Sequence, residues 1–460
     1  MGFLFVFLPL AIIIYAFTPG KYKNISLFVI NAVYYLLMGW QITLITAAAA
    51  VMDYAAALFL DVERGKKLAK LRMPLLILMT IKNIGGAVVF AVLGEFCSAV
   101  GVCMFMVYAL TATGYLVDVF AGEEAAERNP IRYFLFSTLF CKMHIGPLVR
   151  WKDMKTQLAG TDGRGKRGFS LESAGEGLVL FLYGAAKKVL LADRLAEFAA
   201  ALEQVNMSAP SVLGRWIAVI IFALRIFFEL SGFSDMARGL GMVFGLKLPM
   251  NFYYPYQSLS VSDFLYRFNT TVAQFFEHYV YNTLSRKKHD TETNVPQTET
   301  DGRKKTILSD ILNALLVCLL FGMWFGIDLK YLLWGVYLAV FIVIEKYLIG
   351  RFLDNIPKLF ARLYSFAAVM CSFVIFSTPD GYGILENAGA LLAFSEKGVS
   401  TQLLYLLNSN KLLLGAAVLF ATSLFSVMAR VVGKKTGTVV KLVQLVWSLV
   451  LLTITVSFLL

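Results

Sequence analysis

Long, continuous apolar runs are the feature that most limits how this chain can fold. Of its 460 residues, 58% are hydrophobic and 16% are charged, and the mean hydropathy is +0.70. The interior of an ordinary water-soluble protein cannot bury that much apolar surface. Because a membrane-spanning helix needs about 20 mostly apolar residues, the roughly eleven to thirteen such runs predict an all-α, polytopic integral membrane protein. Representative runs are residues 3–18, 41–60, 73–94, 305–326, 358–377 and 438–460.

Basic residues in the loops predict the topology. The formal net charge is +12, and basic clusters lie at residues 21–23, 64–72 and 150–167. The positive-inside rule assigns these clusters to the cytoplasmic side, which puts the N-terminus outside. The first apolar run lacks a basic start and a cleavage site, so it is interpreted as a span. The charge is assigned to topology and to contact with membrane lipid; nucleic-acid binding is not expected, since no aromatic residues interleave with the basic ones.

The middle of the chain departs from simple spans. Residues 231–284 are rich in glycine and aromatic residues and contain no purely apolar run of about 20 residues, which predicts short, broken or tilted helices lining an internal cavity. The apolar run before Gly146 and Pro147 is interpreted as re-entrant or interfacial. Residues 285–305 are hydrophilic and are predicted to form a disordered cytoplasmic loop. The five cysteines show no CxxC spacing, so no metal site is predicted.

Six stretches, taken together and in this order, carry a resemblance to a known family. The sequence is similar to the membrane-bound O-acyltransferases, and within them to the alginate O-acetyltransferase branch, over about the whole chain. The stretches are GPLVRWKD (146–153), KKVLLADRL (187–195), GFSDMARGLGMVFGLKLPMNFYYPY (232–256), SVSDFLYRFNTTVAQFFEHYVYNTL (260–284), GMWFGIDLKYLLWGVY (322–337) and FSTPDGYGILENAGALLAF (376–394).

The resemblance implies a fold, an activity and partners. It implies a single membrane domain over residues 1–460, with helices around a central tunnel, in the bacterial cytoplasmic membrane. The implied activity moves an acyl group to a hydroxyl, and in the alginate branch the acceptor is a cell-surface polysaccharide. The expected donor is acetyl-CoA or a related acyl thioester, with no bound cofactor. A separate extracytoplasmic protein is expected to complete the transfer.

Two positions depart from the family's motifs. The resemblance implies Leu-Trp-His-Gly with a catalytic histidine, and this chain has Met323, Trp324, Phe325 and Gly326. Phenylalanine cannot accept a proton, and the loss of a positioned base costs about 10² to 10⁴ in rate. In the other motif Asn269 stands where the family usually has histidine. Asparagine is used there elsewhere in the superfamily, so Asn269 is expected to orient an acyl carbonyl by donating a hydrogen bond.

A relocated base would have to be one of three histidines. His289 falls in the predicted loop, and His144 is expected to be structural. His278 is the remaining candidate catalytic residue. However, nine residues of α-helix, about two and a half turns, would place it on the opposite face from Asn269.

Further residues are candidate substrate contacts, each with a structural alternative. Arg267 can hold an anionic part of the donor or pair with Asp263 one turn away. Asp235 can line the tunnel or cap a helix. Tyrosine near Pro255 can bind substrate or serve packing and interfacial anchoring. The other candidate contacts are Tyr254, Trp324 and Asp328.

Three functions remain open from the sequence. The first is an active acyltransferase in the O-acetylation of a cell-surface or exported polysaccharide, with a non-histidine or relocated base. The second is a catalytically silent scaffold or acyl conduit for a partner acyltransferase. A solute transporter is less favoured, because the sequence shows no internal repeat and no matched pair of broken helices.

Overall fold

The secondary structure of the described chain is helical. The computed structural model describes residues 2–64, 68–92, 99–142, 145–160, 169–282, 299–378, 383–392, 399–424 and 438–459. Within these residues the one β-type pairing is an isolated antiparallel bridge between Phe252 and Phe268. The all-α prediction is therefore confirmed.

Six helices in the described ranges are long and apolar enough to cross a membrane, which confirms a polytopic membrane protein. A bent pair of helices, Thr401–Ser409 and Lys411–Ala421, meets at 63° and gives a seventh span if it counts as one. The six helices are Trp40–Val62, Ala69–Val92, Val100–Ala121, Val212–Val243, Leu329–Asn355 and Lys358–Phe376.

Three of the apolar runs form helices shorter than a full span. They are Phe3–Phe17, Ile307–Met323 and Val446–Phe458. The second of them ends where Gly326, with φ +154°, turns the chain. The number of full-length spans in the described part of the chain is therefore lower than the eleven to thirteen predicted from apolar runs.

The described chain packs as two compact units, and the first comprises Met1–Phe181 and Phe233–Met250. Its buried core includes Tyr15, whose hydroxyl donates to the carbonyl oxygen of Phe244 over 2.8 Å while the two rings pack edge to face at 5.1 Å. The α-helices that begin in this unit are α1 (Leu8–Phe17), α2 (Lys23–Met38), α3 (Trp40–Val62), α4 (Arg72–Thr80), α5 (Gly86–Val92), α6 (Ala99–Ala121), α7 (Pro130–Thr138), α8 (Trp151–Ala159) and α9 (Leu171–Ala186).

An ion pair lies inside the spans of the first unit. The Asp53 side chain, on α3, is fully buried, and the Lys82 ammonium is 2.9 Å from its Oδ2. The Tyr108 hydroxyl, on α6, donates to the same oxygen. Charged groups inside spans are costly unless paired, so this contact ties three helices together.

The second unit comprises Leu182–Gly232 and Asn251–Leu460. Residues 283–298, most of the predicted hydrophilic loop, lie outside the described residues, and a helix begins at Glu299 within that loop. The α-helices that begin in this unit are α10 (Asp193–Ser208), α11 (Val212–Val243), α12 (Val261–Arg267), α13 (Thr270–Phe276), α14 (Glu299–Met323), α15 (Leu329–Ile344), α16 (Gly350–Asn355), α17 (Lys358–Phe376), α18 (Ile384–Leu392), α19 (Thr401–Ser409), α20 (Lys411–Ala421) and α21 (Thr438–Leu459).

The prediction of broken helices from residue 231 onward is wrong for residues 231–243, which continue α11 without a break. Glycines suggested breaks there, but they serve close packing instead. A Cβ on Gly239 would lie 2.5 Å from the Gly177 carbonyl oxygen and 2.5 Å from the Phe181 nitrogen, both on α9. Beyond residue 243 the prediction of short helices is confirmed by α12, α13 and a 3₁₀ turn at Pro255–Gln257.

Glycine also permits the tight hairpin of α14 and α15. A Cβ on Gly335 would lie 2.4 Å from the Cys318 carbonyl oxygen, and one on Gly322 would lie 2.2 Å from that of Tyr331. Only hydrogen fits at these two points, so the two helix backbones touch directly.

Several helices contain π-helical turns. Such turns carry one extra residue and are frequent at functional sites. They occur at Phe3–Phe7, Ile81–Gly85, Lys187–Ala192, Glu277–Asn282 and Glu345–Ile349.

Candidate active site

The two stretches that resemble the family's catalytic motifs meet in the second unit. The ring of Phe325, which follows α14, lies 6.2 Å from the ring of Phe268. It also packs against Phe321 at 5.8 Å, Trp334 at 5.5 Å and Phe376 at 5.3 Å. We call these five residues the Phe325 cluster. Where the resemblance implies histidine, the structure has a half-buried phenyl ring in aromatic packing.

The Phe325 cluster is held by a buried hydrogen bond. Trp334 is fully buried, and its indole Nε1 donates to the Ser372 hydroxyl over 3.0 Å. The predicted site residue Trp324 is also buried, with 7% of its surface exposed. Gly326 then turns the chain, and a Cβ there would lie 2.5 Å from the Tyr331 ring.

Asp328 has a structural role at the start of α15. Its Oδ1 accepts the backbone N–H of Lys330 over 2.9 Å, as an N-cap does. The residue is exposed. Capping explains its presence, and its assignment as a substrate contact stays a prediction.

Asn269 occupies an unusual position between α12 and α13. It is fully buried, and its backbone is left-handed, with φ +61°. Although it precedes α13, its side chain makes no capping bond. Neither its Nδ2 nor its Oδ1 has a hydrogen-bond partner among the described residues.

Asn251 caps α13 in place of Asn269. Its backbone carbonyl accepts the Thr270 N–H over 2.8 Å, and its Oδ1 accepts the Thr271 N–H over 3.1 Å and the Thr271 hydroxyl. Asn251 is fully buried, and its Nδ2 has no partner in the described part of the chain. Sequence reasoning missed this residue, because only its pairing with a distant segment distinguishes it from other loop asparagines.

Arg267 and Tyr254 flank this segment. The Arg267 Nε lies 2.6 Å from Asp263 Oδ1, which confirms the pairing alternative, and its guanidinium stacks over the Tyr253 ring at 5.7 Å. Tyr254 is left-handed, with φ +46°, immediately before Pro255. Substrate roles for Arg267 and Tyr254 remain predictions.

Asp235 lies in the first unit and does not cap a helix. It is inside α11, where its Oδ1 lies 3.1 Å from Arg238 Nη1 one turn later. The capping alternative is therefore wrong, because α11 runs through this position. A role in lining a tunnel stays a prediction.

His278 lies on the π-helical turn Glu277–Asn282 and is half-buried, with its ring edge-on to Tyr279 at 4.8 Å. Because the π turn begins just before it, the angle expected from an unbroken α-helix does not hold over the full interval from Asn269. His144 and His289 lie outside the described residues.

A cavity of about 580 Å³ opens within the second unit. This volume lies in the range of small-molecule sites, about 300 to 1,000 Å³. Its apolar wall includes Leu265 and Val317. Its charged lining holds two lysines and four acids: Lys346, Lys358, Glu277, Asp310, Glu345 and Asp354. The Lys346 ammonium lies 2.6 Å from the Asp310 carboxylate. The cavity's lining comes partly from the middle of α14, between Asp310 and Cys318, from the end of α15 and from the region after α15, so the cavity lies on the side of the α14–α15 hairpin away from the connecting turn.

Glu345 organises one wall of this cavity. It is buried, and its carboxylate accepts the N–H of Val261 over 2.6 Å, and the N–H and hydroxyl of Ser262 over 2.9 and 2.7 Å. It therefore holds the start of α12 against the end of α15. Sequence reasoning missed it, although a lone acid in an apolar helix is a signal that could have found it.

Comparisons with known proteins match this chain to one family. A family model described as MBOAT, the membrane-bound O-acyltransferase family, matches residues 40–293, a range that includes Asn269 and ends before Phe325. A probable alginate O-acetylase AlgI of Pseudomonas fluorescens is 28% identical over 86% of this chain and 76% of its own length. The corresponding protein of Pseudomonas putida is 27% identical over 86% and 80%.

A relative with another printed acceptor is similar over a shorter part. The peptidoglycan O-acetyltransferase of Helicobacter pylori is 27% identical over 56% of this chain and 45% of its own length. The family model covers more than half of the chain, and the first two relatives cover most of it. The chain belongs to the membrane-bound O-acyltransferase family.

Proposed function

We propose that the protein acts in the O-acylation, in the first instance O-acetylation, of a cell-surface or exported polysaccharide at the bacterial cytoplasmic membrane. The names of its relatives, alginate O-acetylase and peptidoglycan O-acetyltransferase, support this acceptor class. The observation that carries the proposal is Asn269, a fully buried amide without a partner in the described chain, beside the Phe325 cluster. An amide there can hold an acyl carbonyl oxygen.

The cavity of the second unit is suited to an acyl thioester such as acetyl-CoA. Its apolar wall fits the acyl end and the thioester arm of the donor, whereas its charged lining holds more acids than lysines and Lys346 is paired with Asp310, so we do not assign the donor's phosphates to that lining. The predicted cytoplasmic loop at 285–305 leads into α14 at the same end, which is where a cytoplasmic donor would enter. A separate extracytoplasmic protein is proposed to carry the group onward.

Transfer exchanges a thioester for an oxygen ester. A hydroxyl oxygen attacks the thioester carbonyl carbon, negative charge builds on the carbonyl oxygen, and the carbon–sulfur bond breaks. The hydroxyl proton ends on the departing sulfur, so the products are an ester and a thiol. Asn269 would donate to the carbonyl oxygen, and the Phe325 cluster would keep water from the thioester.

The base that accepts the hydroxyl proton is not assigned by these contacts. Phe325 cannot take it, so an active enzyme needs another base, for which His278 is the candidate. The same phenyl ring favours a second function, in which the chain is a catalytically silent scaffold or acyl conduit for a partner acyltransferase.

One assay separates these functions. Membranes containing the wild-type protein, Phe325→His or His278→Ala are given labelled acetyl-CoA, with an empty vector as control. Phe321→His is the matched control for Phe325→His, because it puts an imidazole in the same cluster outside the motif position. If the wild type transfers label and His278→Ala abolishes this transfer, the result supports an active enzyme with a relocated base.

The opposite results point to the second function. If the wild type equals the empty vector and Phe325→His gains transfer, the protein is a family scaffold that lacks only its base. If neither variant nor wild type transfers label while Phe325→His folds and binds acetyl-CoA, the acyltransferase proposal is contradicted.

A further inference from the structure

We propose that Asn251 is a second amide donor beside Asn269, and that the two side chains together bind one carbonyl oxygen, that of the acyl thioester. The inference rests on the proposed function and deepens it, because it adds Asn251 to the acyl site. Three observations carry it: the register of the two segments, the orientation of the Asn251 amide and the burial of both side chains.

The first observation is the register of the two segments. Phe252 and Phe268 form an antiparallel bridge, and the Tyr253 N–H donates to the Arg267 carbonyl over 3.0 Å. In an antiparallel pair, one step along each segment places Asn251 opposite Asn269. The Asn251 carbonyl accepts the Thr270 N–H over 2.8 Å, so the backbones of Asn251 and Asn269 are adjacent where the left-handed Asn269 ends the pairing.

The second observation is the orientation of the Asn251 amide. Its Oδ1 is committed to the Thr271 N–H and hydroxyl, which fixes which end of the amide faces α13. The Nδ2 must then point away from these two donors. It finds no acceptor among the described residues.

The third observation is that both asparagines have no exposed surface. A buried amide without a partner is costly, and nearly all buried polar groups in proteins are bonded. Two such amides in register are therefore explained best by a ligand that accepts from both. A carbonyl oxygen has two lone pairs and can accept two N–H donors.

The surroundings favour a ligand whose charge develops during reaction. Phe268, adjacent to Asn269, belongs to the Phe325 cluster, and its ring also packs against Phe252 at 5.3 Å. Hydrogen bonds are stronger in such an apolar setting than in water. Paired donors there would stabilise the oxyanion of the transfer step.

The competing explanation is that Asn251 only caps α13. Two substitutions separate the roles. Asn251→Asp keeps the oxygen that Thr271 contacts and removes the NH₂ donor, whereas Thr271→Val removes one bond of the cap and keeps the donor. Ser400→Ala, which removes an N-cap bond to the Leu403 N–H at α19, is the matched control for cap loss elsewhere in the unit.

The experiment measures binding and transfer on purified full-length protein in detergent. Acetyl-CoA and CoA are compared as probes, because they differ by the acyl group. We expect the wild type to bind acetyl-CoA about fivefold or more tightly than CoA. Asn251→Asp should lose that preference and, where the wild type transfers acetyl groups, lower the rate by about 10² to 10³. Thr271→Val and Ser400→Ala should keep both the preference for acetyl-CoA over CoA and the transfer rate.

The two arms distinguish this inference from the proposed function. A wild type that transfers nothing but prefers acetyl-CoA, with the preference lost in Asn251→Asp, leaves the inference standing and the enzyme activity refuted. The inference is overturned if Asn251→Asp matches the wild type in both arms, if Thr271→Val loses as much, or if the wild type shows neither preference nor transfer.

Discussion

At the scale of single residues, the backbone of Asn269 allows its conformational and chemical roles to be separated. Its φ of +61° is readily adopted by glycine, whereas alanine there costs about 1 to 2 kcal/mol. We expect Asn269→Gly to keep the melting temperature close to that of the wild type and Asn269→Ala to lower it. Both should lose acetyl-CoA preference and transfer. An Asn269→Gly protein with full activity would show that the amide is not used.

Lys142, in a 3₁₀ turn outside the candidate spans, predicts a pH dependence of stability. It is fully buried, its Nζ donates to the Phe136 carbonyl over 2.6 Å, and burial lowers its pKa from 10.5 to about 7. Between these pH values the unfolded chain binds a proton that the folded chain does not, so folding stability rises with pH. Below about pH 7 both states are protonated and this dependence ends.

The measurement is the melting temperature from pH 6 to pH 9. The wild type should gain stability above about pH 7 relative to Lys142→Met, whereas Lys70→Met, an exposed lysine, should follow the wild type. Parallel curves for the wild type and Lys142→Met would contradict the burial argument.

Sequence reasoning at this scale succeeded where the partner is local. The Arg267–Asp263 pair follows from four-residue spacing on one helix. The packing around Phe325 and the pairing of Asn251 depend on contacts between segments far apart in the chain, and neither composition nor spacing reveals those contacts. The substrate roles of the other candidate residues stay predictions for the same reason.

At the scale of helices, direct backbone contact makes the α14–α15 hairpin sensitive to one methyl group. Gly335→Ala would place a Cβ 2.4 Å from a backbone carbonyl, which cannot move aside as a side chain can. We expect a loss of about 1 to 3 kcal/mol in folding stability, measured by thermal unfolding. Gly415→Ala on α20, with no atom within 4 Å of its Cβ, should be neutral or slightly stabilising. Equal effects of the two substitutions would show that the helix backbones do not touch at Gly335.

The ion pair inside the first unit predicts non-additive substitutions. Removing one partner of a buried pair costs about 3 to 5 kcal/mol, while replacing both by apolar residues costs less. Asp53→Asn should therefore destabilise the protein more than the double variant Asp53→Leu/Lys82→Met. Glu197→Gln removes the exposed partner of the half-buried Arg194 and should cost less than about 1 kcal/mol. Additive losses from the single substitutions would argue that the pair is not coupled.

The helices were largely predictable because apolar length is a local property. The error at residues 231–243 arose from glycines that appear as helix breaks in sequence and pack helix against helix in the structure. Whether a glycine such as Gly239 breaks a helix or packs against another helix depends on its neighbour in space, here Gly177. No pattern along the chain identifies that neighbour.

At the scale of the whole molecule, the basic loops predict which residues face the cytoplasm. Two candidate spans, Ala69–Val92 and Val100–Ala121, separate the second basic cluster from the third, so both belong on one side. Single cysteines at Lys21, Lys70 and Lys152, all exposed, should react with an impermeant maleimide in inside-out vesicles only. A cysteine at Gln41, at the opposite end of α3 from Val62, should react from the outside of intact cells. The reverse pattern would place the N-terminus in the cytoplasm.

The π-helical turns have a consequence for how this chain and its relatives can be aligned. Each turn winds about one extra residue into the rotation that an α-helical turn makes, so removing that residue restores α-helical bonding and leaves the residues beyond it on nearly the same face. A one-residue gap in a relative at Glu345–Ile349 would therefore keep the helix and the facing of its later side chains, and would change only the turn itself. Residues on the two sides of such a gap stay structurally equivalent, so a gap inside this helix is compatible with an unchanged fold.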